Sequence, residues 1–362
     1  MTQLNVRRAP RTRLLTLVCL LFSPAAFVDE YPNIGSSFWD EDAEWYQRCM
    51  RVKETEPPVR DLPTAEATGS LAKCSATDLY YDTLDNPRAR IDDWTQVRVC
   101  AFATNDTGVL MMLYANGFGV SRDPSIALKY ACSTFSALAE MRGRVSYFAD
   151  QLRDAGTADV GRVFDICDHI TSGLGAGECM LIESRRAASR RRARLDHITN
   201  DWTEAQKNVL RAAEESLRAF ADAHGIEETD YQGTAAAAFA IAAEEDEMEL
   251  FLADIEKLEG GILPAYDQSQ SQRLDDALHD LFESLMQPEV FNGSNGRLGY
   301  TTVAKEGLQK TQTAWLQYRD KWAAFGQARY PSVERYAWTA MITERRIKQL
   351  EGILAWVRPA PD

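Results

Sequence analysis

LQKTQTAWLQYRDKWAAFGQARYPSVERYAWTAMITERRIKQL, residues 308–350, is the stretch that decides the fold. Two helical patterns flank a break at Pro331. In the first, Leu308, Gln312, Trp315, Arg319 and Trp322 recur at steps of three and four, which places them on one helix face. In the second, Ile342, Arg346 and Leu350 repeat the pattern, with Trp338 one turn earlier. Aromatic and charged residues share each face. A solvent-exposed helix rarely carries tryptophan in that pattern, so an antiparallel helical hairpin with a partly polar core is expected.

The order of residues is also distinctive: Leu308, Gln312, Trp315, the pair Arg319-Asp320, then Thr343, Arg346 and Leu350, preceded by Asp275, Leu278, His279 and Phe282. This pattern resembles the lysozyme-inhibitor LprI-like family of small, secreted bacterial helical domains. It covers residues 270–355, about a quarter of the chain. The family pattern has Asn and Tyr where this chain has His279 and Phe282. Many members carry cysteines here, and this chain has none after Cys179. The resemblance implies a helical domain over 270–358 that binds and blocks a lysozyme without turnover. On this reading the signature residues hold the hairpin together or touch the partner. Arg319 and Arg346 are expected in buried pairs with Asp320 or nearby acids.

Working outward, residues 1–25 read as a Sec-type export signal. Arg7, Arg8, Arg11 and Arg13 precede a short apolar run, Leu14 to Phe22, and Ser23-Pro24-Ala25 offers small residues for cleavage. No later segment approaches the roughly 20 apolar residues of a membrane helix. A periplasmic or secreted location is therefore expected. Losing the signal would remove Cys19 and leave Cys49, Cys74, Cys100, Cys132, Cys167 and Cys179. An even set of cysteines in an exported chain reads as disulfides. Expected local pairings are Cys49–Cys74, Cys100–Cys132 and Cys167–Cys179. No Cys-x-x-Cys pair or spaced histidine couple suggests a metal.

Residues 26–75 form an extension, with a short helix expected over 39–50, capped by Ser37, and a Pro- and Thr-rich loop over 54–70. Over 76–150, LMMLYANGFGVSRDPSIALKYAC resembles a Sel1-like repeat, a helix-turn-helix unit related to tetratricopeptide repeats. Gly117 and Gly119 suit a helix end with positive φ, and Asp123 with Pro124 suits a helix start. Cys100 is expected near the start of the first helix, beside Cys132 near the end of the second.

The middle region, 151–265, reads as helical. A helix is expected to end at Ser172-Gly173, and no Gly-Lys-Ser/Thr follows to make a phosphate loop. The basic run Arg185, Arg186, Arg190, Arg191, Arg192 and Arg194 reads as a solvated face paired with Glu183, Asp196 and other acids. Thr203 and Gln206 suggest a capping box. The acids of Glu244 to Glu249 lack calcium-loop spacing and are expected to face solvent. The loop 287–300 carries Phe291 and Tyr300 as a contact point.

The formal charge is −14 and becomes −18 without the four signal arginines. That argues against nucleic acid and anionic membranes as partners and favours a basic partner, as c-type lysozymes are. No cofactor motif and no catalytic Ser-His-Asp or Cys-His set is present. The expectation is an all-α, exported, non-enzymatic protein with a protein partner, a lysozyme or another envelope protein. An envelope scaffold with an unrelated partner is the alternative.

Overall fold

The computed structural model describes residues 31–35, 40–71, 73–153 and 162–357. The expected export signal and the expected cap Ser37 lie outside the described residues. The helices are α1 (Glu44–Val52), α2 (Ala65–Ser70), α3 (Ala76–Asp85), α4 (Ile91–Thr104), α5 (Thr107–Asn116), α6 (Pro124–Ser133), α7 (Leu138–Arg153), α8 (Gly173–Ile198), α9 (Glu204–Glu227), α10 (Ala236–Glu259), α11 (Gln268–Leu285), α12 (Lys305–Arg329) and α13 (Arg335–Ala355). Among the described residues the only β-type pairing is an isolated bridge between Arg297 and Ala304. The chain is all-α. No helix among these residues is long and apolar enough to cross a membrane.

Local chemistry sets many helix ends. The Asp123 carboxylate accepts the Ser125 and Ile126 N–H groups at 2.9 and 3.2 Å, with Pro124 opening α6. Thr203 with Gln206 and Asp267 with Gln270 form reciprocal capping boxes on α9 and α11. Gly117, at φ +77°, closes α5 by donating its N–H to the Leu113 carbonyl.

Two hydrophobic cores organise these helices. The first is built on α5, which is buried all round from Gly108 to Ala115 and therefore sits among other helices, not on a surface. Tyr80, Val97, Ala127, Met141, Val145 and Phe148 pack in the same core. The second core runs from Leu195 to Leu354 and draws on α8 through α13. The linker over 260–266 thus joins helices of one core. The helices of the signature segment share their interior with α9 and α10. Helix α8 connects the two cores: Ile182 packs against the first and Leu195 lies in the second. Its Arg186 holds Asp85 of α3 through bonds of 2.6 and 2.7 Å.

The disulfides correct the local pairings expected from spacing. Cys49 pairs with Cys132 and Cys74 with Cys100, and Cys167 does pair with Cys179; the Cα separations are 5.8, 6.1 and 5.9 Å. The reason is a helix break that the repeat pattern hides. Asn105 adopts a left-handed conformation, φ +52°, and separates α4 from α5. Cys100 therefore lies near the end of α4, which packs against α2 and α3, and meets Cys74. Helix α1 lies on α6 and α7, which brings Cys49 to Cys132. Three bridges suit an oxidising compartment outside the cytoplasm.

Ser172 is also a start instead of an end. Its hydroxyl caps α8 by accepting the Gly175 N–H at 3.1 Å. The nearby glycines serve close packing: a methyl group on Gly173 would collide with the backbone of Thr234, and one on Gly177 would press on Ala237.

Candidate functional site

The signature residues converge in the second core, where α12 packs against α9 and α13, and α13 against α11. Leu308, Trp315, Trp322, Trp338, Ile342 and Leu350 are all buried there. The helices approach closely because Gly326 faces the Trp338 ring, and a methyl group at that position would overlap the ring. Tyr318 stacks on Phe220 of α9, Trp202 stacks on Phe325, and Phe251 of α10 meets the edge of Trp322. Leu278 of α11 is buried beside them.

Within this apolar setting lies a polar centre. Arg346 and Glu228 both have 0% side-chain exposure. The guanidinium grips the carboxylate in a fork: Nη1 donates to Oε2 at 2.8 Å and Nη2 to Oε1 at 2.6 Å. Its Nε donates to the Gln312 side chain at 3.0 Å, so two signature residues meet directly. The His224 Nδ1 lies 2.7 Å from Glu228 Oε2. Burial alone would raise the Glu228 carboxyl, but Arg346 and the hydrogen bonds outweigh it and bring its pKa from 4.5 to about 2.

A second ion pair flanks the first. Arg345 donates to buried Asp254 of α10 at 2.6 Å. Burial opposes the charge on Arg345, yet Asp254 raises its pKa above the usual arginine value. Gln349 donates to Glu247 of α10. Glu247 is buried, in contrast to the solvent-facing position expected for it, and burial raises its pKa. Three residues of α13 (Arg345, Arg346 and Gln349) thus tie it to α10 and to the C-cap of α9.

The Arg-Asp pair of the signature divides its work. Arg319 donates to Asp275 of α11 at 3.0 Å and lies 5.2 Å from the Trp315 ring centre. Asp320 instead meets Arg335 at 3.3 Å on the surface. Of the partners expected, Asp320 or nearby acids, both arginines take the latter: Arg319 pairs with Asp275 and Arg346 with Glu228, because adjacent residues on a helix such as Arg319 and Asp320 point in different directions. Thr343 is wholly buried, and its hydroxyl, like the Tyr318 hydroxyl and Trp322 indole N–H, has no hydrogen-bond partner among the described residues. His279 is exposed, while Phe282 packs at the edge of the core.

Sequence reasoning missed Glu228 and His224. They lie at the end of α9 and its cap, 118 residues from Arg346 in the case of Glu228. The local text Glu227-Glu228-Thr229-Asp230 reads as a polar helix end and gives no sign of burial.

One side of the network opens onto a groove of about 560 Å³, lined by His224, Asp230, Phe239, Gln349 and Trp356 among others. Phe239 and Trp356 are exposed at its rim, and Tyr300 of the α11–α12 connection is 98% exposed. The six described cysteines are all in disulfides, so none supplies a thiolate. Among the described residues no group of three or more His, Cys, Asp or Glu side chains is placed to hold a metal. The arginines of α8 sit in ion pairs: Arg186 and Arg190 with Glu183, Arg192 with Asp196, and Arg194 with Glu249 and Glu256. Arg191 departs from the solvated face expected for this run, being buried against Glu245.

Residues 265–350, from the linker before α11 to near the end of α13, match the family model described as lysozyme inhibitor LprI. No curated protein and no solved structure shows significant similarity to the chain.

Proposed function

We propose that the chain is an exported bacterial envelope protein whose second helical core binds a lysozyme and blocks it without turnover. The observation that carries this reading is the family match over α11 to α13. Those helices are held rigidly by the Arg346–Glu228 fork and the Trp315, Trp322 and Trp338 cluster, which suits a preformed binding surface. The acidic balance of the chain favours approach of a basic partner. The three disulfides fit the periplasmic or secreted location that the first 25 residues suggest.

On this reading the signature residues Leu278, Gln312, Trp315, Thr343, Arg346 and Leu350 shape the surface from beneath, because they are buried. Contact with the partner falls to exposed groups around them, including Tyr300 and Trp356. Calorimetric titration of the oxidised full chain with a c-type lysozyme tests the proposal. One-to-one binding that weakens as salt is raised is expected. Absence of heat and of complex on gel filtration at micromolar concentrations would reject it. The alternative, an envelope scaffold, is supported by the size of the first core, which lies wholly outside the matched segment. Capture of a different envelope protein without lysozyme binding would favour it.

A further inference from the structure

We propose that the half-open cavity lined by α8, α9 and α10 binds a small amphiphilic cation, a primary amine carrying one compact apolar arm. This site lies outside the matched segment and does not depend on lysozyme binding. The cavity holds about 210 Å³. An apolar cavity of about 150 Å³ accommodates benzene, so this volume admits a ring and a short chain. Leu195, Phe251 and Leu252 are buried and, with Met248, supply the apolar wall.

The polar wall is asymmetric in charge. Its three arginines are already committed: Arg191 to Glu245, Arg218 to Glu214, and Arg192 to Asp196 at 3.1 Å. Ser184 also donates to Glu245, at 2.8 Å. Glu244 alone among the lining carboxylates has no hydrogen bond or ion pair among the described residues, although it is half-buried. Burial, Asp222 and Glu245 raise its pKa and outweigh the opposing pull of Arg191 and Arg218, whose own bonds go to Glu245 and Glu214. An ammonium donated to Glu244 would supply compensating positive charge while its arm covers Met248 and Phe251. An anionic ligand would have to break one of the existing arginine pairs. A neutral ligand would bury Glu244 further without compensating it.

The test uses the oxidised full chain and calorimetry at neutral pH with three isosteric probes: phenethylamine, 2-phenylethanol and phenylacetate. Phenethylamine should bind one-to-one, and the alcohol and the acid roughly tenfold or more weakly, a difference near 1.4 kcal/mol. Glu244→Gln should erase the preference for the amine over the alcohol. Met248→Trp, which fills the cavity and leaves Glu244 in place, should abolish binding of both; circular dichroism confirms that each variant is folded. No saturable binding of phenethylamine up to about 10 mM, or an unchanged preference in Glu244→Gln, would overturn the assignment.

Discussion

Replacing Glu228 by Gln should leave the Arg346 guanidinium buried with no counter-charge while preserving the shape of the site. The magnitude follows from the carboxylate itself. Its pKa falls from 4.5 to about 2 on folding, and a shift of this size corresponds to about 3 kcal/mol of stability at neutral pH. This agrees with the roughly 3–5 kcal/mol lost when one partner of a buried ion pair is removed. The sign of the pH dependence is set by the direction of the shift. A depressed carboxyl stabilises the fold above its unfolded pKa, and the contribution disappears as pH falls from 4.5 through about 2. The difference between the native chain and Glu228→Gln should therefore shrink from about 3 kcal/mol at pH 7 to about 1 kcal/mol near pH 3. Urea denaturation followed by tryptophan fluorescence reads this core, because Trp202, Trp315, Trp322 and Trp338 all lie in it. Converting both partners, Glu228→Leu with Arg346→Met, should cost less than either change alone. A Glu228→Gln cost below about 1 kcal/mol at pH 7, or one that is equal at pH 7 and pH 3, would refute the assignment of Arg346–Glu228 as the charged centre of this core.

Other substitutions test the packing. Gly326→Ala should cost about 1–3 kcal/mol, since the methyl group meets the Trp338 ring, whereas Gly352→Ala, with open space around it, should stabilise α13 by about 0.5–1 kcal/mol; thermal melts separate the two. Tyr318→Phe should raise stability by about 1 kcal/mol in chemical denaturation, because it removes a buried hydroxyl that has no partner among the described residues. Serine at both Cys49 and Cys132 opens a loop of 83 residues, shortened in effect by the bridge nested within it, and should cost about 4 kcal/mol in the loop-entropy account. Removing Cys167–Cys179, which closes 12 residues, should cost about 3 kcal/mol on the same scale.

The helical hairpin was legible because its information is local. Trp315 and Trp322, and likewise Ile342, Arg346 and Leu350, reveal a buried face by spacing alone, and Asp123-Pro124 and Thr203-Gln206 announce helix starts through their own side chains. Partners were not legible. Arg346 selects Glu228 across the bundle, and Cys49 selects Cys132 across a reversal of the chain, so neither choice has a local trace. Two misreadings share one cause. Asn105 breaks a run that propensity would continue, and the glycines after Ser172 look like a turn because their true role, close approach to the start of α10, depends on a neighbour distant in sequence. The exposed groups around the hairpin carry no periodic signal at all. Tyr300 stood out only as an aromatic in a Gly- and Asn-rich loop, and its near-complete exposure agrees with the contact position expected of it.

The most direct measurement is lysis of bacterial cell walls by c-type and g-type lysozymes, titrated with the oxidised full chain. The proposed function predicts inhibition of at least one of these enzymes that saturates near one molar equivalent and does not decline with incubation. Undiminished lysis by both at a large molar excess, from a sample whose folding is verified by circular dichroism, would contradict it.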